Sequence, residues 1–171
     1  NESVAWLEGM FLRPHHLQAA ERSIESQSRR QVDLDHGYAY GLKHISFSRE
    51  AIANGQFELS ECHARLRDGT VIWIDSGQEP DRVNFTKSDS NAKRSLADAF
   101  DQYESVDVYL AVPKLRLGRP NTQNERGGQH RFVGFDDNVP DENAGGNEQE
   151  ISLRALNVQI LLGTDNLAGY E

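Results

Sequence analysis

The chain has a single cysteine, Cys62, among its 171 residues. An internal disulfide is excluded, and a reducing compartment fits. No apolar run approaches the ~18 residues of a membrane span. The start of the chain, where Glu2 and Glu8 flank a short apolar patch, lacks the basic opening of a secretory leader. Basic residues are outnumbered, 18 against 27 acidic, for a net charge of −9. Nucleic acid and anionic membranes both demand clustered Lys and Arg, so both are disfavoured as partners. Apolar residues make up only 37%, against about 45–50% in a typical globule. The 14 glycines, which that reference figure includes, narrow the gap. The rest of it points to long polar loops and to surface that an assembly covers. Asn84-Phe85-Thr86 has the form of a glycosylation sequon, a triplet that also arises by chance.

The usual frames of catalysis are missing as well. There is no GxSxG elbow, Walker A loop, GxGxxG or HExxH. His15 and His16 are neighbours, and on a helix they point about 100° apart, so they cannot share one metal as an i, i+4 pair does. Asp33, Asp35 and His36 could ligate a metal, but DLDHG also reads as an ordinary helix-terminating loop. Cys62 and His63 in a strand face opposite ways, which rules them out as a nucleophile–base pair; Cys62 reads as a small buried residue. Gly127-Gly128 and Gly145-Gly146 precede no helix, so a phosphate cradle lacks its frame. Asp136-Asp137 with Asp141-Glu142 read as a solvated loop without EF-hand spacing. No catalytic, metal or cofactor site is expected, and the chain reads as a binding or assembly module.

What is present is a β pattern behind one helix. Residues 4–12, VAWLEGMFL, read as a short strand with a turn at Gly9. Pro14 is preset for a first helical turn, and Leu17, Ala20, Ile24 and Val32 recur at helical spacing, which predicts a helix over 14–32. Its apolar stripe is narrow, so it packs by one edge, and Gly37 is the expected terminator. From residue 38 the signal is β. The segment 38–48 alternates, 49–55 reads as one helical turn closed by Gly55, and 56–66 sets Phe57, Leu59, Glu61 and His63 against Glu58, Ser60 and Cys62. Asp68-Gly69 signals a two-residue hairpin into TVIWID, where Trp73 is expected to be buried. A short helix is expected from about Ala92 to Tyr103. Val106, Val108, Leu110 and Val112 share a strand face, 113–130 is a long loop, and strands follow in HRFVGFD, around 151–153 and around 157–162. About seven short strands without alternating helices argue for a mainly β fold, a β-sandwich over 38–171.

The apolar cluster of Val4, Trp6, Met10, Phe11 and Leu12 is the best interface candidate, because a terminal segment frays unless something ties it down. The alternative is that it packs on the chain's own sheet. The stretch VAWLEGMFLRPHHLQAAER then resembles the N-terminal signature of the TssK (ImpJ/VasE) baseplate subunits of bacterial type VI secretion. Trp6, Glu8, Gly9, Phe11, Leu12, Pro14, His16 and Gln18 carry the match, with Leu17 in place of the more usual aromatic. The likeness continues through GYAYGLKHISFSREAIANGQFEL, LRDGTVIWI, VYLAVP and NAGGNEQEISLRALNVQILLG.

The resemblance implies a role. Family members are trimeric cytoplasmic adaptors with a β-sandwich shoulder similar to that of siphophage receptor-binding proteins, a helical neck and a head. The shoulder docks on the baseplate wedge of TssF and TssG, and the head reaches the inner-membrane complex. Residues 1–171 would be one shoulder domain, without neck or head, and the abrupt finish at Tyr170-Glu171 accords with that. In this reading Phe11 and Leu12 anchor the chain, Pro14 starts the helix, and His16 and Gln18 bond nearby backbone. Trp6, Met10, Phe11, Leu12, Leu17 and Ile24 are the expected protein interface. The competing reading is a carbohydrate- or receptor-binding β-sandwich, which would need aromatics exposed on a sheet face.

Overall fold

Pro14 opens the longest element. Its fixed φ suits a first turn, and the N–H it lacks has no partner at a helix start. Helix α1 runs over Pro14–Asp35 in this computed structural model, which describes residues 2–75 and 93–171. The sequon at 84–86 and Ala92 lie outside the described residues. α1 extends past the expected end at 32, because Asp33 and Asp35 are only mildly unfavourable in a helix. It is closed by His36 in an extended conformation, whose N–H bonds the Val32 carbonyl. Gly37 is therefore not the left-handed terminator expected. The strand expected within 4–12 does not form, since no neighbouring strand pairs with it among the described residues. The turn at Gly9 does form, with φ +77 and Met10 N–H bonding the Leu7 carbonyl.

Strand β1 (Gly41–Phe47), helix α2 (Arg49–Ala53), β2 (Gln56–Arg65) and β3 (Val71–Ile74) follow. β1, β2 and β3 form an antiparallel sheet in that order, and β4 (Lys93–Ser95) pairs with the start of β2. A short α3 (Ala97–Phe100) replaces the longer helix expected up to Tyr103. β5 (Val108–Ala111) pairs antiparallel with β9 (Gln159–Leu162). β6 (Thr122–Gln123), β7 (Phe132–Val139) and β8 (Gln149–Leu156) make a third sheet, with β6 parallel to β7. Asp136 and Asp137 thus lie in β7 and not in a loop.

The alternation expected along β2 breaks at Ser60. The pairing with β1 slips there, from Ser46–Glu61 to Phe47–Leu59, and the Ser60 hydroxyl bonds the Ser46 carbonyl at 2.9 Å. Such a bulge reverses the inward face: Leu59 points in before it, and Cys62 after it. Cys62 is fully buried, as a small apolar residue should be. The β2–β3 hairpin forms, but with a three-residue loop. Leu66 and Thr70 close it, and Gly69 stands at φ +84 in the left-handed position that follows a type I turn.

The main core joins two of the sheets. Leu59 and Cys62 of β2 and Ile72 and Ile74 of β3 meet Val112, Val158 and Ile160 from the β5–β9 side. Leu96, Ala99 and Leu162 form a smaller cluster beside it. The architecture is mainly β, layered as an uneven sandwich, with α1 laid outside. Asn157, fully buried, fixes the 127–130 turn by bonding the Gly127 and His130 carbonyls through its amide. The long 113–130 segment is ordered further by Asn121, which bonds the Arg116 and Arg119 carbonyls.

Candidate protein interface

The opening motif divides into residues that shape the backbone and residues left uncovered. Gly9 supplies the positive φ of its turn. Arg13, at the helix N-cap, is extended, and its N–H donates to His16 Nδ1 at 3.1 Å while the His16 N–H returns to the Arg13 carbonyl at 2.9 Å. His16 thus does at N3 what Glu or Gln does in a capping box, and its ring lies 6.4 Å from that of Trp6. Gln18 is exposed and makes no backbone bond of the expected kind among the described residues.

Phe11 and Leu12 do not anchor the chain to its own fold. Phe11 is 80% exposed and Leu12 55%. The arm carries no strand that would lay these side chains on a sheet, so the reading in which the cluster packs on its own sheet fails for them. Trp6 is 56% exposed and Met10 is half-buried. On α1, Ser23 is the buried residue, Ala20 and Val32 are half-buried, and Leu17 and Ile24 are exposed, Ile24 by 65%. The helix rests on the domain by a small polar face. It is held by Glu21 to Arg154 at 2.7 Å and, loosely, by Asp33 to Arg65 at 3.8 Å. The six interface residues expected from sequence thus lie along one continuous stretch of arm and helix, five of them exposed.

A second exposed surface was not foreseen. Trp73 is 48% exposed, because Ile72 and Ile74 take the inner face of β3 and period 2 turns Val71 and Trp73 outward. His44, His63 and Trp73 are register partners across β1, β2 and β3. Trp73 stacks on His63 at 3.8 Å, and its Nε1–H donates to Asp75 at 2.9 Å. His63 bonds the other Asp75 oxygen, and His44 bonds Glu61 at 3.1 Å. Phase, read from the two isoleucines, was the signal that could have exposed this row. Among the described residues, no three His, Cys, Asp or Glu side chains are grouped so as to hold a metal. No described helix is long and apolar enough to cross a membrane.

The 67–69 turn is pinned from beneath. Arg131, itself buried, donates to the Pro113 carbonyl, to Asp68 and to Thr70. Partial burial alone would raise the Asp68 carboxyl, but hydrogen bonds from the Thr70 side chain and backbone, with the charge and hydrogen bond of Arg131, hold it below its ordinary value.

A family model described as "Bacterial Type VI secretion, VC_A0110, EvfL, ImpJ, VasE" matches residues 16–171. The chain belongs to this family. The match begins at His16, so most of the opening motif precedes it. The chain is 27% identical, over 173 residues, to the type VI secretion system baseplate component TssK1 of Pseudomonas aeruginosa, an alignment covering 99% of this chain and 36% of that protein. This ImpJ/VasE-family chain therefore spans little more than a third of that relative. Its backbone matches a crystal structure of TssK with a TM-score of 0.82 at 24% identity, covering 99% of this chain and 37% of the other. It also matches a chain of a cryo-electron microscopy structure of the TssK-TssF-TssG baseplate subcomplex, with a TM-score of 0.78 at 19% identity, over 99% and 53%. At these identities the likeness establishes the fold alone, that of the matched part of TssK.

Proposed function

We propose that this chain is the shoulder domain of a TssK-type adaptor, which docks a trimer onto the TssF–TssG wedge of a type VI secretion baseplate on the cytoplasmic side of the inner membrane. Neck and head segments of the complete protein would carry the link to the membrane complex. The role is structural, with no reaction assigned. The observation that carries the docking surface is the uncovered arm and helix: Trp6, Phe11, Leu12, Leu17 and Ile24 stand exposed in series. Fully burying one such side chain is worth about 1.5–3 kcal/mol, and contiguous exposed apolar surface marks an interaction site. Met10, half-buried at the turn, belongs to the rim of the same surface.

The test is co-purification of the chain with TssF and TssG from its own operon, beside a Trp6→Ala/Phe11→Ala variant shown by circular dichroism to be folded. Wild-type retention with loss in the folded variant is expected. Equal retention of both removes the arm from the interface. The exposed Trp73 gives the carbohydrate-binding reading an observation of its own, and a glycan array separates it from the adaptor reading: saturable binding that Trp73→Ala abolishes would favour a glycan module.

A further inference from the structure

An open pocket of about 260 Å³ is lined wholly by residues 116–130, among them Arg116, Arg119, Gln123, Gln129 and His130. No Asp or Glu is in its lining, although the chain carries 27 acidic residues and a net charge of −9. Neither Arg116 nor Arg119 is in an ion pair among the described residues; the terminal Glu171 is engaged by Lys114 at 3.6 Å. Both walls are braced from behind. Asn121 locks the turn that carries the two arginines, donating to the Arg116 and Arg119 carbonyls at 2.8 and 2.9 Å and accepting the Arg116 N–H at 2.9 Å. The opposite wall is the 127–130 turn held by Asn157, where Gln159 bonds the Gly128 carbonyl at 2.9 Å and His130 Nε2–H donates to the Glu125 carbonyl at 2.6 Å. The Arg116 guanidinium lies so close over Gly169 that a Cβ there would sit 2.6 Å from its Nη2, and its Nη1 reaches the Gln129 side-chain oxygen only at 3.5 Å. Two permanent cations are thus held at one pocket with most of their N–H donors unused.

We infer that this pocket is a binding site for a phosphate dianion, free or as the head of a small phosphomonoester. A carboxylate would neutralise one guanidinium and leave the other uncompensated, whereas a dianion balances both. Phosphate oxygens accept the paired N–H groups of a guanidinium in the bidentate manner that Arg favours, and the side-chain amides of Gln123 and Gln129 add further donors. The volume falls below the range of about 300–1,000 Å³ usual for drug-sized ligands, which suits a headgroup. Gly127-Gly128 lacks the following helix of a phosphate loop, and here the positive charge comes from the arginine turn instead. Bracing of both turns lowers the ordering cost of binding. No residue of the arm or of α1 lines the pocket, so the site stands apart from the adaptor reading.

The experiment is an amide-resolved NMR titration of the ¹⁵N-labelled chain with sodium phosphate, with sodium acetate and with glycerol 3-phosphate, at constant ionic strength. Saturable shifts are expected with phosphate, centred on Gly118, Gly128 and Gln129, and about tenfold weaker binding with acetate. Tighter binding of glycerol 3-phosphate than of phosphate would assign the site to a phosphomonoester, and equal or weaker binding to inorganic phosphate. Arg119→Ala, at an exposed position, should weaken phosphate about tenfold, the loss of one charge-assisted contact, without altering the melting curve. Arg116→Ala should act in the same direction, with Arg116→Lys intermediate because a point charge loses the bidentate geometry. No saturable shift at the pocket, acetate binding as tightly as phosphate, or unchanged affinity in folded Arg119→Ala and Arg116→Ala would each overturn the proposal.

Discussion

Replacing Arg131 by Met tests the account of how the two halves of the fold are tied. Arg131 is only 9% exposed at its side chain and reaches Asp68 at 2.9 Å and the Pro113 carbonyl at 2.9 Å. Met preserves much of the volume, so the loss is chiefly polar. It leaves the Pro113 carbonyl without that donor and Asp68 without its cation. Breaking one side of a buried pair costs about 3–5 kcal/mol. Asp68 keeps its Thr70 bonds and some contact with water, which places the cost near the lower end, about 3 kcal/mol. For a chain of this length each kcal/mol moves the melting temperature by about 2–4 °C, so a fall of about 6–12 °C is expected. Urea unfolding of the isolated chain measures it. Adding Asp68→Asn should recover part of the loss, because the unpaired charge is then gone. The lowered Asp68 carboxyl means the unfolded chain takes up this proton more readily than the folded one. The corresponding stability is present above about pH 4, the ordinary carboxyl value, and is lost as pH falls through the lower folded value. Asp68→Asn should remove that component of acid sensitivity. A loss below about 1 kcal/mol in Arg131→Met, or no recovery in the double variant, would refute the reasoning.

Three further outcomes are expected. Ile72→Ala, at a site 1% exposed between the two sheets, should cost about 2–5 kcal/mol by cavity formation, read as a lower urea midpoint with an unchanged slope. Burial pushes the Cys62 thiol above its ordinary value, so its contribution to stability is intact below about pH 8.5 and lost as pH rises through the folded value; native Cys62 should also resist alkylation until the chain unfolds, and rapid labelling at neutral pH would contradict its placement. Ile24→Asp should leave the melting temperature nearly unchanged, since an exposed substitution costs about 0.5 kcal/mol or less, yet abolish capture by the TssF–TssG wedge; a folded variant that assembles normally would remove α1 from the docking surface.

Legibility followed the range of each interaction. Pro14 announced the helix start, Asp68-Gly69 announced the hairpin, and Gly9 and Gly55 marked turns, because each rests on the conformation of a few adjacent residues. The family signature was legible in the same way: Gly9, Pro14 and His16 do local backbone work. The alternation expected along β2 does not run its whole length, because a bulge at Ser60 shifts the phase by one residue, which period counting cannot see. Trp73 was misjudged from its apolar neighbours, when its phase against Ile72 and Ile74 was the better guide.

By its sequence alone, then, this chain was bound to be a mainly β domain with one leading helix, without a disulfide and without a recognisable catalytic frame. These properties reside in composition and in repeats of two or 3.6 residues. Tertiary structure decided which apolar residues stay uncovered and which arginines share a pocket. Arg131 meets Asp68 across 63 positions, and Glu21 meets Arg154 across 133. Such partners have no common local pattern, since chain folding, and not spacing, sets the distance over which charges and apolar surfaces act.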